Sequence, residues 1–188
     1  MERRNITPLC FNYTQLVARV KYKPDASVSE TDILRDLSAL ITRPIGRGSL
    51  EEIIFRMDLL RRLERLGMLV INPPLSIERS VDKYCALTLL EEYGLPVPRT
   101  AVTESHEEAL KCFHELGEDV VLKPLFGSRG IGSTRISDSD IAARVFRTIS
   151  FYHGVLYLQE FIPHGVSDIR AFVVGGRVIA SMHRIAEN

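Results

Sequence analysis

A lysine at the end of an apolar strand, followed at once by a glycine-rich loop, is the pattern in this chain with the clearest chemistry. Residues 120–132 read VVLKPLFGSRGIG, and residues 133–137 read STRIS, an alternation typical of a second strand. Backbone N–H groups in a loop between two strands can close over phosphates, and the Lys123 ammonium can neutralise them. The segment therefore predicts a hairpin flap and indicates a nucleotide-using enzyme.

Lys123 itself has two interpretations. Because an unpaired ammonium is costly to bury, a lysine in a strand covered on both faces needs a partner. In an edge strand the side chain would instead extend to water. The glycines Gly127, Gly130 and Gly132 favour a phosphate, although the loop matches neither a P-loop nor a Rossmann fingerprint. Arg129 is either an exposed turn residue or a clamp on substrate.

Lys83 is a second cation of interest, in the first turn of a helix that we predict from about residue 80 to 93. The helix dipole disfavours a cation at this end by about 0.3–1 kcal/mol. Lys83 is therefore either a solvated lysine that tolerates this small cost or one that shares an anion with the helix N-terminus. Position alone favours the solvated interpretation.

A candidate hinge lies in residues 155–162, which read VLYLQEFI and predict an apolar strand interrupted by Gln159 and Glu160. Backbone groups at such an interruption could read the edge of an adenine. The alternative is plain strand alternation, in which Gln159 faces water.

The chain ends in a predicted hairpin, whose strands are joined by the two glycines at 175–176. The register of a regular hairpin gives two cross-strand pairs: Arg170 with Ser181, and Asp168 with His183. These four side chains would make one polar face, which is either the wet side of an amphipathic sheet or the floor of an active site. The other face would be apolar, carrying Ile169, Ala171, Val173, Val178, Ala180 and Met182. Arg184 falls on the apolar face unless a bulge redirects it.

The other elements are predicted from apolar periodicity and from helix and turn signals. Strands are expected at residues 37–42, 68–71, 97–102, 155–162, 167–174 and 177–184, and helices at 50–66, 80–93, 105–116 and 138–150. The first thirty-odd residues show no clear pattern. This order of elements predicts an α/β (α+β) fold, with a module boundary near the Asn72-Pro73-Pro74 stop.

Composition excludes several classes of function. The formal net charge is +0 and the pI is about 7.0, so no excess of positive charge drives binding to nucleic acid or an anionic membrane. The sequence shows no apolar run long enough to cross a bilayer and no secretory signal pattern. The three cysteines are odd in number and far apart, which predicts reduced thiols in a cytoplasmic protein.

Four blocks of sequence, taken together, resemble the ATP-grasp ligases and, within them, the RimK-type glutamate ligases. The blocks are residues 79–83 (RSVDK), 121–132 (VLKPLFGSRGIG), 158–162 (LQEFI) and 167–176 (SDIRAFVVGG). Their order and spacing carry the resemblance, which runs from about Leu37 to the last residue.

This resemblance implies an ATP-dependent carboxylate–amine ligase. In such enzymes ATP phosphorylates a carboxylate, and an amine, usually that of glutamate, attacks the acyl phosphate to give an amide. Lys, Arg and Mg²⁺ stabilise the phosphoryl and oxyanion charge. The expected ligands are ATP, Mg²⁺, glutamate or a similar amino acid, and a carboxylate acceptor on a protein or a coenzyme.

The resemblance also implies roles for particular residues. It places the following at the nucleotide: Lys83, Lys123, Gly127, Ser128, Arg129, Gly130, Ile131, Gly132, Glu160, Phe161 and Asp168. The lysines would contact the ATP phosphates beneath the glycine flap. Glu160 and Phe161 would offer hinge backbone to adenine, and Asp168 would lie at the ribose. Catalysis would fall to Arg170, facing the transferring phosphate or the acceptor carboxylate, and to Arg184, near the reacting phosphate.

A truncated ligase is the architecture that the resemblance implies. Family members continue well beyond the point matching the last three residues, and that continuation supplies the Mg²⁺ ligands. No metal ligand is therefore predicted within this chain. We expect an incomplete ATP-grasp fold: an N-terminal α/β pre-ATP-grasp module over residues 1–76, a lid module over 77–155, and the start of the main nucleotide-binding sheet over 156–188.

Two other functions stay open. A non-catalytic relic or partner subunit would bind nucleotide but need another chain to react, and a structural interaction domain would not bind it at all. An open sheet edge leads us to expect self-association or pairing with a complementing chain.

Overall fold

The computed structural model describes residues 6–43, 45–46, 48–127, 130–163 and 165–185. It divides into two compact units, residues 1–86 and 87–188, so the division follows Ala86 rather than residue 76. None of the helices within the described ranges is long and apolar enough to span a bilayer. No disulfide joins the three cysteines, all of which lie in described segments.

The first unit is a small α/β module. A 3-10 turn over Tyr13–Gln15 precedes β1 (Leu16–Ala18), β2 (Ala26–Val28), β3 (Thr31–Asp32), α1 (Ile33–Asp36), β4 (Ala39–Ile41), α2 (Leu50–Arg65), β5 (Leu69–Ile71), α3 (Pro74–Val81) and α4 (Lys83–Glu92), which crosses into the second unit. Strands β1, β2 and β3 form an antiparallel sheet, and β4 and β5 pair in parallel. The predicted strands at 37–42 and 68–71 are confirmed. The elements before residue 37 went unpredicted because strands of two or three residues are too short to show alternation.

Helix α2 crosses between the two parallel strands and carries the core of this unit. Its start is a capping box, in which the Glu52 N–H donates to Ser49 Oγ (3.2 Å) and the Ser49 N–H donates to Glu52 Oε2 (2.8 Å). Gly67 follows the helix with φ +94°, a left-handed conformation that suits a helix end. The buried core consists of Ala26, Val28, Ile33, Ile45, Met57, Leu59, Leu60, Leu63, Met68 and Val70.

The helix predicted at residues 80–93 forms as α4 (Lys83–Glu92), and a separate helix that the sequence did not predict, α3, precedes it. Helix α3 begins at Pro74, where the fixed φ of proline suits the first helical turn. Asp82 interrupts the helix with extended backbone (φ −88°, ψ 111°). Its carboxylate accepts from the N–H groups of Tyr84 (2.8 Å) and Cys85 (3.0 Å), which starts α4.

The second unit contains a four-stranded antiparallel sheet and a separate hairpin. Its elements are β6 (Thr100–Thr103), α5 (His106–Glu115), β7 (Val120–Lys123), β8 (Thr134–Ile136), α6 (Ser139–Phe151), β9 (Leu156–Glu160), β10 (Ser167–Val174) and β11 (Arg177–Ile185). The strand order is β6-β9-β7-β8, and β10 pairs with β11 alone. The segment expected to start the main sheet at 156 therefore divides, with β9 in the four-stranded sheet and the remainder in the hairpin.

Helices α5 and α6 cover one face of the four-stranded sheet. Their N-terminal caps are Ser105 and Asp138: Ser105 Oγ accepts from the Glu108 N–H (3.3 Å) and Asp138 Oδ1 from the Ile141 N–H (2.8 Å). The core between the helices and the sheet consists of Ala109, Phe113, Val120, Leu122, Ile136, Ala142, Phe146, Leu156 and Leu158. Successive strand residues point to opposite faces, so the other face carries Val121, Lys123, Arg135, Tyr157 and Gln159.

The β10–β11 hairpin contains a bulge that a regular register does not include. The pairing shifts at residues 172–173, leaving Ile179 as the extra residue in β11. Asp168 consequently lies opposite Arg184. The bulge thus brings Arg184 to the same face as Asp168. The sequence left this placement open, because only a bulge could move Arg184 off the predicted apolar face.

The two cross-strand pairs predicted from a regular turn are wrong. Arg170 lies opposite Met182, and Asp168 no longer lies opposite His183, because one extra residue changes the face of everything beyond it. Ser181 and His183 therefore lie on the face away from Arg170. The predicted all-polar face does not form, and each face of the hairpin mixes polar and apolar side chains.

Candidate functional site

Lys123 ends an interior strand, since β7 lies between β9 and β8. The interpretation in which it extends to water from an edge strand is therefore wrong. Its half-buried ammonium donates to Oε1 of Gln159 on the neighbouring strand. Because an amide is neutral, this hydrogen bond holds the ammonium on the sheet face opposite α5 and α6 without adding a counter-charge.

Gln159 is the residue that sequence reasoning missed. It is only 9% exposed, and its Nε2 donates to Thr100 Oγ1 (3.0 Å), so the alternative in which it faces water is wrong. The available signal was a polar residue within an otherwise apolar strand, because a buried amide requires hydrogen-bond partners. Gln159 thus links Lys123 to Thr100 across three adjacent strands.

The glycine loop joins β7 to β8, which pair in antiparallel register as predicted. Gly127, Gly130 and Gly132 have φ of +135°, +72° and +80°, a region that residues with a Cβ rarely adopt. Substitution at these positions would strain the loop that follows Lys123. This geometry agrees with a tight flap, while its contact with phosphate stays a prediction.

Three further loop residues were expected at the phosphates. Ser128 and Arg129 lie outside the described residues. Ile131 is 59% exposed. The roles of all three stay predictions.

A pocket of about 400 Å³ lies at the base of the flap. It is lined by Leu122, Lys123, Pro124, Leu125, Phe126, Gly132, Ile149, Gly154 and Val155. Lys123 is the charged residue among these lining residues. Small-ligand sites span about 300–1,000 Å³, so the pocket gives Lys123 an adjacent space of ligand size.

The Glu160 carboxylate points away from the face that carries Lys123. It lies opposite the core residue Val120 and accepts from the Arg99 backbone N–H (2.9 Å) and from Arg99 Nε (2.6 Å). These hydrogen bonds, the backbone one first, hold the pKa of Glu160 below its ordinary value. The Glu160 carboxylate is therefore engaged by Arg99 rather than presented on the face that carries Lys123.

The backbone N–H groups of the expected hinge are both satisfied within the chain. The Glu160 N–H donates to the Arg99 carbonyl (2.9 Å), and the Phe161 N–H donates to the Asp119 carbonyl (2.9 Å). An adenine edge would therefore be read by other backbone groups of this segment. The hinge role of the two residues stays a prediction.

Asp168 and Arg184 form a two-pronged ion pair on the hairpin. Arg184 Nε donates to Asp168 Oδ1 (2.6 Å), and a terminal nitrogen donates to Oδ2. This hydrogen bond raises the pKa of Arg184 above its ordinary value. The side chains are 52% and 55% exposed, and exposed pairs contribute only about 0–1 kcal/mol, so a substrate anion could displace Asp168 at small cost. Arg170 lies exposed on the same face.

Lys83 belongs to the first unit, where it is the first residue of α4. Burial lowers the pKa of its ammonium, and the neighbouring Asp82 carboxylate opposes that effect. The other candidate residues belong to the second unit. The proposed contact of Lys83 with ATP phosphates stays a prediction.

Comparison with known families identifies this arrangement. Residues 80–188 match the RimK-like ATP-grasp domain. This chain belongs to the RimK-like ATP-grasp family. The predicted family and the mixed α/β ATP-grasp fold are thereby confirmed.

Curated relatives of this RimK-like chain include two proteins named tetrahydromethanopterin:alpha-L-glutamate ligase. The Methanosarcina acetivorans enzyme is 41% identical over 165 residues, which cover 82% of this chain and 51% of that protein. The Methanococcus maripaludis enzyme is 36% identical over 193 residues, covering 100% and 64%. The chain thus spans about half to two thirds of the length of these relatives.

Solved structures support the same fold. The ATP-grasp ligase PsnB, complexed with a minimal precursor, has a TM-score of 0.72 and 22% identity, covering 100% of this chain and 65% of PsnB. A RimK domain ATP-grasp protein from Sphaerobacter thermophilus has a TM-score of 0.59 and 27% identity, covering 69% and 50%. At these identities, PsnB supports the architecture alone.

The RimK-like ATP-grasp fold typically uses Mg²⁺ with ATP. Within the described ranges, no group of three or more His, Cys, Asp or Glu side chains could hold a metal ion. These residues do not fit a magnesium site by themselves, and none is assigned to the metal.

Glu160→Gln should remove an acid-sensitive part of the stability. Because the pKa of Glu160 in the folded protein is lowered, its ionised form stabilises the fold above the ordinary pKa of 4.5. That stabilisation is lost as the pH falls through the folded pKa. Urea midpoints of wild type and E160Q should therefore differ at neutral pH and approach each other as the pH falls below 4.5 and through the folded pKa. A difference of the same size at both pH values would contradict this role.

Proposed function

We propose that this chain is the nucleotide-binding part of an ATP-dependent carboxylate–amine ligase that adds glutamate to a coenzyme carboxylate. The observation that carries the proposal is the position of Lys123, on the sheet face opposite α5 and α6, beside the glycine flap and a pocket of ligand size. The coenzyme class is supported by the names of relatives that are 41% and 36% identical.

The proposed reaction has two steps. An oxygen of the acceptor carboxylate attacks the γ-phosphorus of ATP, forming an acyl phosphate and breaking the bond to the leaving ADP. The amine nitrogen of glutamate then attacks the acyl carbon, the C–O bond to phosphate breaks, and the nitrogen loses a proton. Both steps develop negative charge on oxygen, which positioned cations and N–H donors stabilise.

The residues of this chain would supply that stabilisation. Lys123 and Lys83 would bind phosphate oxygens, and the N–H groups of the glycine flap would cover them. Arg184 would exchange Asp168 for a phosphate oxygen, which frees the Asp168 carboxylate for a ribose hydroxyl. Arg170, on the same hairpin face, would bind the transferring phosphate or the acceptor carboxylate. Mg²⁺ belongs to the proposed cofactor set.

A thermal-shift titration with ATP and Mg²⁺ tests nucleotide binding, and an ADP-release assay tests the chemistry. Saturating ATP, at about 100 times its Kd, should stabilise the protein by about 2.7 kcal/mol. ADP release should require glutamate together with a coenzyme carboxylate, such as a pterin derivative. The matched comparison replaces glutamate by glutamine, which has the same length and lacks the side-chain charge.

Each other outcome points to a different conclusion. ADP release with a protein carboxylate alone would move the acceptor to that class. Saturable ATP binding without ADP release for any acceptor would favour a nucleotide-binding subunit. An unchanged melting temperature at millimolar ATP would contradict the proposal.

A further inference from the structure

Arg99 fastens the end of β9 to the rest of the second unit. Its Nε donates to Glu160 Oε2 (2.6 Å), and its terminal nitrogens donate to the carbonyls of Glu115 (3.4 Å) and Leu116 (3.2 Å). Its backbone N–H and carbonyl are also bound to Glu160. Arg99 therefore joins the start of β6, the end of β9 and the C-terminal turn of α5, where helix carbonyls favour a cation.

Arg135 contacts Phe161, the residue after Glu160, from the sheet face opposite α5 and α6. Its guanidinium carbon lies 3.6 Å from the centroid of the Phe161 ring. The same guanidinium donates twice to the Asp119 carboxylate (2.7 Å each), and the Asp119 carbonyl accepts from the Phe161 N–H (2.9 Å). Phe161 is therefore fixed at both its ring and its backbone by the Asp119–Arg135 pair.

The contribution of these contacts to stability is too small to explain why both arginines bind the same segment. The Arg99 and Arg135 side chains are 62% and 52% exposed, and exposed ion pairs contribute only about 0–1 kcal/mol each. The two arginines contact consecutive residues at the end of β9: Arg99 binds Glu160, and Arg135 lies over the ring of Phe161. The guanidinium groups restrain the backbone of that point from opposite faces of the sheet.

We propose that Arg99 and Arg135 are positioning residues that hold the Glu160–Phe161 backbone in the conformation that receives the base of a purine nucleotide. This inference rests on the proposed function, because it assumes that the segment faces a nucleotide. Both guanidinium groups are bound to carboxylates of the chain, so they affect the ligand through the segment they restrain. Their loss should weaken binding of the base and leave binding of the phosphates unchanged.

Calorimetric titration of the whole chain separates these contributions when ATP and inorganic tripolyphosphate are compared. Arg99→Gln and Arg135→Gln should each lower the affinity for ATP roughly tenfold, since a misplaced hydrogen-bonding edge costs about 1–1.5 kcal/mol. The affinity for tripolyphosphate should change less than about twofold. Arg→Lys at either position keeps the charge but loses the planar fork, so it should restore affinity only in part.

The matched control is Arg35→Gln, because Arg35 makes a similar exposed two-pronged pair with Asp36 (2.7 and 2.9 Å) in the first unit. It should leave both affinities unchanged. An equal loss for ATP and tripolyphosphate would overturn the inference, as would unchanged ATP affinity in the variants. If one variant fails to fold, the other and its lysine counterpart decide the result. Absence of ATP binding by the wild type would instead overturn the proposed function itself.

Discussion

Lys123→Ala protein should bind ATP roughly 10- to 100-fold more weakly than the wild type, because a hydrogen bond to a charged group contributes about 1.5–3 kcal/mol. The ammonium is the charged group at the base of the glycine flap, and Gln159 holds it there. Calorimetric titration with ATP measures the effect. The fold should persist, since Gln159 keeps its hydrogen bond to Thr100 after the substitution.

Lys111→Ala provides the control for this experiment. Lys111 is an exposed lysine of α5, paired with Glu108 at 2.7 Å. It lies on a helix rather than on the sheet face that carries Lys123. Its removal should leave ATP affinity within twofold or so of the wild-type value. Wild-type affinity in Lys123→Ala would refute the phosphate role of this residue, and a similar loss in both variants would indicate only a general effect of charge.

Phe146→Ala should lower the free energy of unfolding by about 3–5 kcal/mol, the usual cost of emptying a phenylalanine site in a core. Phe146 is fully buried between α6 and the sheet, and its ring meets Phe113 edge to face with the centroids 6.3 Å apart. Urea denaturation followed by circular dichroism measures the loss, which should appear as a lower midpoint.

Phe151→Ala makes the same chemical change at the last residue of α6, the helix that also carries Phe146. Phe151 is 75% exposed, so its replacement should change stability by no more than about 0.5 kcal/mol. Equal destabilisation by the two substitutions would show that Phe146 is not a core residue. The difference between the two variants removes the contribution of helix propensity, which is common to both.

Local patterns were sufficient for the parts of this fold that depend on neighbouring residues. Helix α5 begins after Ser105, where the sequence predicts a helix start, because a cap acts within four residues. The lysine and the glycine loop likewise define a hairpin by their own sequence. The family followed from the order of four such local blocks.

The features that the sequence could not predict depend mainly on contacts between residues far apart in the chain. Arg99 and Glu160 are separated by 61 positions, and nothing in the sequence near either residue indicates that they pair. The extra residue Ile179 is a β-branched apolar type that fits a regular strand as well as a bulge. Helix α3 went unpredicted because it begins within the Asn72-Pro73-Pro74 segment, where the prolines indicated a boundary rather than a helix start.

The position of β8 at the rim of its sheet has a mechanical consequence. This strand is three residues long and, among the described strands, pairs with β7, whereas β7 also pairs with β9. Peeling β8 away would carry the glycine segment outward and leave the ammonium anchored to its amide neighbour. Because Arg135 lies in β8, the same movement would break its contacts with Asp119 and Phe161, so fraying of one short ladder would loosen the end of β9 as well.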